Sequence, residues 1–204
     1  MKIIEPTVEL VDAIDTANIY NKIELCGRVA HQSMPKGKPE QFIRMLIKKG
    51  HESVLEHVSL TFHIITDRAI QNELVRHRHC SFTVESTRFV KYNELSFIKP
   101  DFSNDDNAER AFELIAKAIQ DEHYGFFVRM CKTPPEIARA VLPLCLKSEL
   151  YMTANLRQWR HFLKLRTDKA AHPQMRHIAN MILDIFKAKL PVIVYDIGGD
   201  TVER

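Results

Sequence analysis

The stretch VSLTFHIITDRAIQNELVRHRHCSFTVESTR, Val58–Arg88, carries three patterns in succession. Leu60, Phe62 and Ile64 alternate with polar neighbours, the period of a strand with one buried face. Asp67 then stands in the N-cap position ahead of RAIQNELVRHR, which reads as a helix. CSFTVESTRFVKY follows; it is β-branched and aromatic but has no long period, so an extended or irregular segment is expected.

The flanking sequence repeats this mixture. MKIIEPTVELV reads as short extended pieces around Pro6. TANIYNKIELCGRVAHQS has helical spacing, and PEQFIRMLIKKG places Pro39 near a helix start and Gly50 just past its end. Beyond the polar loop KPDFSNDDN, a long helix is expected near Ala108 to Cys131, with Phe112, Ile115, Ile119 and Phe126 on or near one stripe. TPPEIARAVLP reads as a capped helix, with Thr133 as N-cap and Glu136 completing a capping box. SELYMTA reads as a strand, NLRQWRHFLKLR as a helix, and HPQMRHIANMILDIFKAKL as an amphipathic helix ended by Pro191. The strands do not alternate with helices in βαβ units, and no GxGxxG loop is present. The expected class is α+β, a small antiparallel or mixed sheet packed against several helices.

At 204 residues, 45% of them hydrophobic, a single domain over residues 1–204 can bury its core without a disulfide or metal staple. A net charge of +3 is too small for a general polyanion binder, so any basic site must be built by local placement. Cys26, Cys80, Cys131 and Cys145 lie far apart, and no signal-peptide core or membrane-length apolar run is visible, so a cytoplasmic location is expected, with no membrane partner.

Three clusters carry candidate chemistry. Arg76-His77-Arg78 ends the helix read above, where cations either complement the helix dipole or grip a ligand. On that helix Glu73, Arg76 and His77 share one side, and Arg78 points away. Cys80, beside Arg78 and His79, is a candidate for a lowered thiol pKa. In NLRQWRHFLKLR, Arg157 and His161 are four apart and share a face, while Asn155, Trp159, Phe162 and Arg166 group around another. HESVLEH offers His51, Glu52, Glu56 and His57, but HExxxEH is not the HExxH zinc spacing, so no metal is expected. No nucleophile with a defensible triad order is found.

Taken together, these segments resemble the flavin-dependent thymidylate synthases. The family's Arg-His-Arg, seven residues, then Ser is matched by Arg76-His77-Arg78, HCSFTVE and Ser86, followed by Arg88. HESVLEH upstream, and ARAVLPL, NLR and HFLKLR downstream, appear in family order. The resemblance implies reductive methylation of dUMP to dTMP, with methylenetetrahydrofolate as carbon donor, FAD as hydride carrier and NADPH as reductant. It implies flavin contacts from His51, Ser53, Arg76, His77, Arg78, Asn155, Arg157 and His161. For dUMP it implies Glu73, Arg76, Ser86, Thr87, Arg88, Arg139 and Arg166. Arg166 would hold the uracil and favour its ionisation, and Ser86 would join it in catalysis, so that no enzyme nucleophile is needed. It further implies a homotetramer with long helices at the subunit interface and active sites shared between subunits.

The chain departs from the family at Glu73, where Gln is frequent, at Val84, where a carboxylate is frequent (Glu85 is next), and in HPQMR. Two alternatives stay open: a FAD-binding family member without synthase activity, and a nucleic-acid-binding module using the basic clusters with Phe82, Phe89 and Trp159.

Overall fold

A computed structural model describes residues 1–30, 32–35 and 37–198. Two edge strands open the chain, β1 (Lys2–Ile4) and β2 (Thr7–Leu10), followed by helices α1 (Thr16–Val29) and α2 (Pro39–Lys48). A 3-10 turn over Glu52–His57 leads into β3 (Ser59–Asp67) and α3 (Arg68–Leu74). Then come β4 (Ser81–Val84), β5 (Ser96–Ile98) and α4 (Asp106–Ala118), which continues as wider π-helical turns over Ile119–Tyr124 and Phe126–Met130. A one-turn α5 (Pro135–Ala138) precedes β6 (Lys147–Asn155), α6 (Leu156–Arg166) and α7 (Pro173–Lys189). The fold is α+β: a four-stranded sheet in the order β2-β3-β6-β4, and a parallel β1–β5 pair in register Lys2↔Ser96.

The chain forms two compact units. Among the described residues, the first takes Met1–Thr7, Ile64–Arg76 and Phe82–Tyr151; the second takes Val8–His63, His77–Ser81 and residues 152–198. In the first, Leu95, Phe97, Ala116, Tyr124, Val128, Ala138 and Leu146 form one buried cluster. The amide Oε1 of Gln120 inside it accepts from the backbone N–H of Leu95 at 2.6 Å, pairing a polar group that burial would otherwise penalise.

In the second unit α6 packs on α7 and on the Glu52–His57 turn. Trp159, fully buried, stands edge-on to Phe62 at 4.9 Å and to Phe162 at 5.7 Å, with Phe186 at 6.3 Å. Its indole N–H donates to the Leu60 carbonyl at 3.1 Å, so one side chain joins helix packing to strand β3. The Leu156 amide donates to the Val58 carbonyl at 2.9 Å and fixes where α6 begins.

Several local expectations change in the folded chain. Asp67 does cap α3, its Oδ1 accepting from the Ile70 amide at 2.7 Å, but the helix stops at Leu74 and leaves Arg76-His77-Arg78 outside it. Val75 makes the last i to i−4 bond, to Gln71, and Arg76 bonds only to Glu73, three back. The helical sharing of a face by Glu73, Arg76 and His77 therefore does not hold. Nor does Thr133 cap α5: Pro134 occupies the N-cap, and Glu136 makes an ion pair with Arg88 instead of a capping box.

The expected long helix stays α-helical only to Ala118, and its apolar stripe divides. Phe112 and Ile119 pack on the buried cluster, whereas Ile115 and Phe126 are exposed. The π turns add one residue per hydrogen-bonded turn and rotate the following side chains off the α-helical stripe. Strand β5, paired with β1, lies in NELSFIKP, too short to show a period in the sequence.

Candidate functional site

Helix α6 is capped by Asn155, whose Oδ1 accepts from the Gln158 amide at 2.9 Å. From this anchored start the helical period turns Leu156, Trp159, Arg160 and Leu163 inward. Arg157, His161 and Lys164, at spacings of four and three, form the exposed stripe. That stripe walls a cavity of 650 Å³ in the second unit, lined by Glu52, Glu56, His79, Asn155, Arg157, Gln158, His161 and Lys164.

Of the flavin positions implied by the resemblance, Asn155, Arg157 and His161 meet here. His51, Ser53, His77 and Arg78 are not among the lining residues, although Glu52 and His79, their chain neighbours, are. Residue spacing alone missed Gln158 and Lys164; the i+7 step from Arg157 was the signal for Lys164.

The charges of this cavity are arranged in pairs. Arg157 Nη1 meets Glu56 Oε1 at 2.5 Å, with both side chains about half exposed. Glu52 Oε1 accepts from Arg160 Nη2 at 3.0 Å and lies 4.0 Å from Lys164 Nζ. A guanidinium, an ammonium, two imidazoles and two amides thus face one space, with each carboxylate already compensated. Such a donor set fits a ligand carrying phosphates and a polar ring edge.

His77 does not face this cavity as a cation. It is buried, with its ring edge-on to Phe162 at 5.0 Å, and its Nε2 accepts from Arg166 Nε at 3.2 Å. Burial, and then the nearby charges of Arg166 and His161, bring its pKa down to about 4. Neutral His77 therefore presents Nε2 as an acceptor and keeps its proton on Nδ1. Cys80 is likewise corrected: burial pushes its thiol up to about 11, against the lowering expected from its cationic neighbours, and a hydrogen bond with Gln158 offsets only part of this.

The nucleotide positions of the first unit lie on three short segments. After β4 the chain turns, the Ser86 hydroxyl accepting from the Arg88 amide at 3.3 Å and the Ser86 carbonyl accepting from Val90 at 3.1 Å. Thr87 is buried within this turn, and Arg88 projects outward. Arg88 Nε reaches Glu136 Oε2 at 3.3 Å, and Arg139, exposed, follows Glu136 by three residues in the chain. Glu73 lies near the end of α3, and Arg76 is exposed just beyond it. Arg166 belongs to the second unit.

Glu85, the residue after Val84, is engaged within the first unit. Its Oε1 accepts from Tyr92 at 2.8 Å and its Oε2 from Lys147 at 2.9 Å. A second cavity, of 580 Å³, lies in the first unit and includes Lys91, Arg129 and Lys132, none of them a predicted site residue. Among the described residues no cluster of three or more His, Cys, Asp or Glu is placed to hold a metal ion, and no helix is long and apolar enough to cross a membrane.

Residues 9–192 match the family model described as thymidylate synthase complementing protein. The flavin-dependent thymidylate synthase of Corynebacterium efficiens is 31% identical, the match covering 88% of this chain and 80% of the relative. A probable flavin-dependent thymidylate synthase of Mycobacterium phage D29 is 34% identical over 85% of this chain and 81% of its own. Among solved structures, the UMP/dUMP methylase PolB from Streptomyces cacaoi bound with 5-Br UMP superposes with a TM-score of 0.79 at 25% identity, covering 95% of this chain and 94% of that one. The same enzyme bound with 5-Br dUMP gives 0.75 at 29% identity, covering 95% of each chain. The chain belongs to the thymidylate synthase complementing protein family, the flavin-dependent thymidylate synthases, and is an enzyme of the methyltransferase class.

Proposed function

We propose that this enzyme methylates dUMP to dTMP reductively, with methylenetetrahydrofolate, FAD and NADPH. The observation that carries the reading is the exposed stripe of α6, where Arg157, His161 and Lys164 join Asn155 and Gln158 around one cavity. In this chemistry the folate gives its one-carbon unit to C5 of the uracil, and the hydride that completes the methyl group comes from NADPH through FAD.

The chain's own groups bind and orient. Asn155, Arg157 and His161 hold the flavin nucleotide, with His51, Ser53, Arg76, His77 and Arg78 as further contacts. Arg88 and Arg139 take the dUMP phosphate, for which a guanidinium offers two donors at once. Ser86 and Thr87 present that turn, and Glu73 and Arg76 complete the nucleotide contacts. Arg166 holds the uracil and stabilises its ionised form, and His77, neutral and accepting from Nε, sets the plane of that guanidinium. Ser86 and Arg166 are the groups proposed to act in catalysis.

We read residues 1–204 as one domain, supported by a family match that runs continuously across the boundaries of both compact units. Self-association as a homotetramer is supported by exposed Leu114, Ile115, Phe126 and Met130 along α4 and its π continuation. The four unpaired cysteines support a cytoplasmic location.

The test is direct. Purified protein should take up FAD, bleach on addition of NADPH, and form dTMP from dUMP and methylenetetrahydrofolate. Arg166→Ala should abolish dTMP formation while the protein stays folded. Flavin uptake without any dTMP would support instead a family member that binds FAD and has no synthase activity.

A further inference from the structure

Arg160 lies on α6 between Arg157 and His161 but points inward and is fully buried. Its guanidinium grips Asp196 as a fork, Nη1 to Oδ1 at 2.7 Å and Nη2 to Oδ2 at 2.9 Å. The same Nη1 donates to the Ile193 carbonyl, and Nη2 donates to Glu52 Oε1 at 3.0 Å. Three segments far apart in sequence therefore converge on one side chain: α6, the Glu52–His57 turn and the segment after α7. The Nε atom is buried and has no partner among the described residues, so the two Nη groups carry the whole connection.

Lys164 extends the network toward the cavity. Its Nζ stands 3.2 Å from Asp196 Oδ2 and 4.0 Å from Glu52 Oε1. Glu52 and Lys164 both line the 650 Å³ space, whereas Arg160 and Asp196 stand behind them. Burial would raise the Asp196 pKa, but hydrogen bonds and charge from Arg160, with Lys164, outweigh it and bring it down to about 2. Asp196 is thus ionised at neutral pH. A buried guanidinium with a carboxylate on each side holds its position because releasing either partner leaves charge uncompensated in a poorly solvated place.

We propose that Arg160 and Asp196 are positioning residues for the flavin cavity. They hold Glu52 and Lys164 in its wall, and so make the segment after α7 part of that site without touching the ligand. This rests on the flavin reading given above.

Charge and position predict opposite signs, which makes the proposal testable. Asp196→Asn and Glu52→Gln each remove a negative charge, and by charge alone an anionic dinucleotide would bind more tightly. If the carboxylates act by position, FAD binds more weakly, by about tenfold for the loss of one charge-assisted hydrogen bond.

The full chain, stripped of flavin, would be titrated with FAD and followed by quenching of flavin fluorescence, with a thermal melt for each variant. The expected result is weaker FAD binding by both folded variants and a largely restored affinity at Asp196→Glu, which keeps the carboxylate. Unchanged or tighter FAD binding by folded Asp196→Asn overturns the proposal. If that variant does not fold, folded Glu52→Gln decides by the same criterion. A wild-type chain that takes up no FAD overturns the flavin reading itself, and this inference with it.

Discussion

Nε of Arg166 donates to Nε2 of His77 at 3.2 Å, joining the middle residue of Arg76-His77-Arg78 to the last residue of α6. The family resemblance divides these two residues between flavin and nucleotide, and the folded chain makes them neighbours. The bond requires a neutral imidazole, which burial against Phe162 and the charge of Arg166 itself enforce.

A pH dependence of stability follows from that bond. The folded pKa of His77, about 4, lies below its ordinary value of 6.5, so the unfolded chain binds the proton more readily. The stabilising contribution is present above pH 6.5 and is lost as pH falls toward 4. Melting temperature should fall over that window in wild type. His77→Gln, which keeps an acceptor and does not titrate, should show a flatter profile; equal slopes would refute the assignment.

The exposed pair of Arg88 and Glu136 is expected to contribute little stability and more to substrate capture. Glu136→Gln should change unfolding free energy by less than about 1 kcal/mol, as for other solvent-exposed pairs. By releasing Arg88 from competition it should lower the KM for dUMP. A raised KM would instead make Glu136 a support that orients Arg88.

At Cys80, alkylation reports on the thiol directly. With a pKa near 11, only about 0.1% of the thiol is ionised at pH 8, and the thiolate is the reactive form. Iodoacetamide labelling at Cys80, read by peptide mass spectrometry, should be slow in the folded protein and fast in urea. Cys80→Ala should retain dTMP formation, since no thiol attack is invoked. Rapid native labelling would contradict the half-buried environment that raises the thiol pKa.

Gly125 separates the two π-helical turns of the first unit. A methyl group there would meet the Arg129 guanidinium and, at 2.5 Å, the Gln120 carbonyl, a backbone atom that cannot swing aside. Gly125→Ala should therefore destabilise the protein by about 1–3 kcal/mol, the usual range for overpacking. Urea unfolding measures it. A neutral or stabilising effect would show that these turns relax to ordinary α-helix.

Much of this site was legible in the chain because its signals are local. Arg157 and His161 share a face by helical period, and the structure brings both to one cavity with Asn155. Arg160 was illegible for the same reason: on period alone it is one more cation in a basic helix. Its role depends on Glu52, 108 residues before it, and Asp196, 36 after it. The capping box at Thr133 failed because Glu136 was taken by Arg88, 48 residues away in sequence.

By itself the sequence determined the α+β class, the inward face of β3, the shared face of Arg157 and His161 on α6, and the Asp67 cap, since alternation, helical period and capping act within a few residues. Tertiary structure alone decided that α3 stops at Leu74, that His77 is a neutral acceptor for Arg166, and that Cys80 is no activated thiol. Those outcomes depend on burial and on charges brought close by folding, and desolvation has no counterpart in residue spacing.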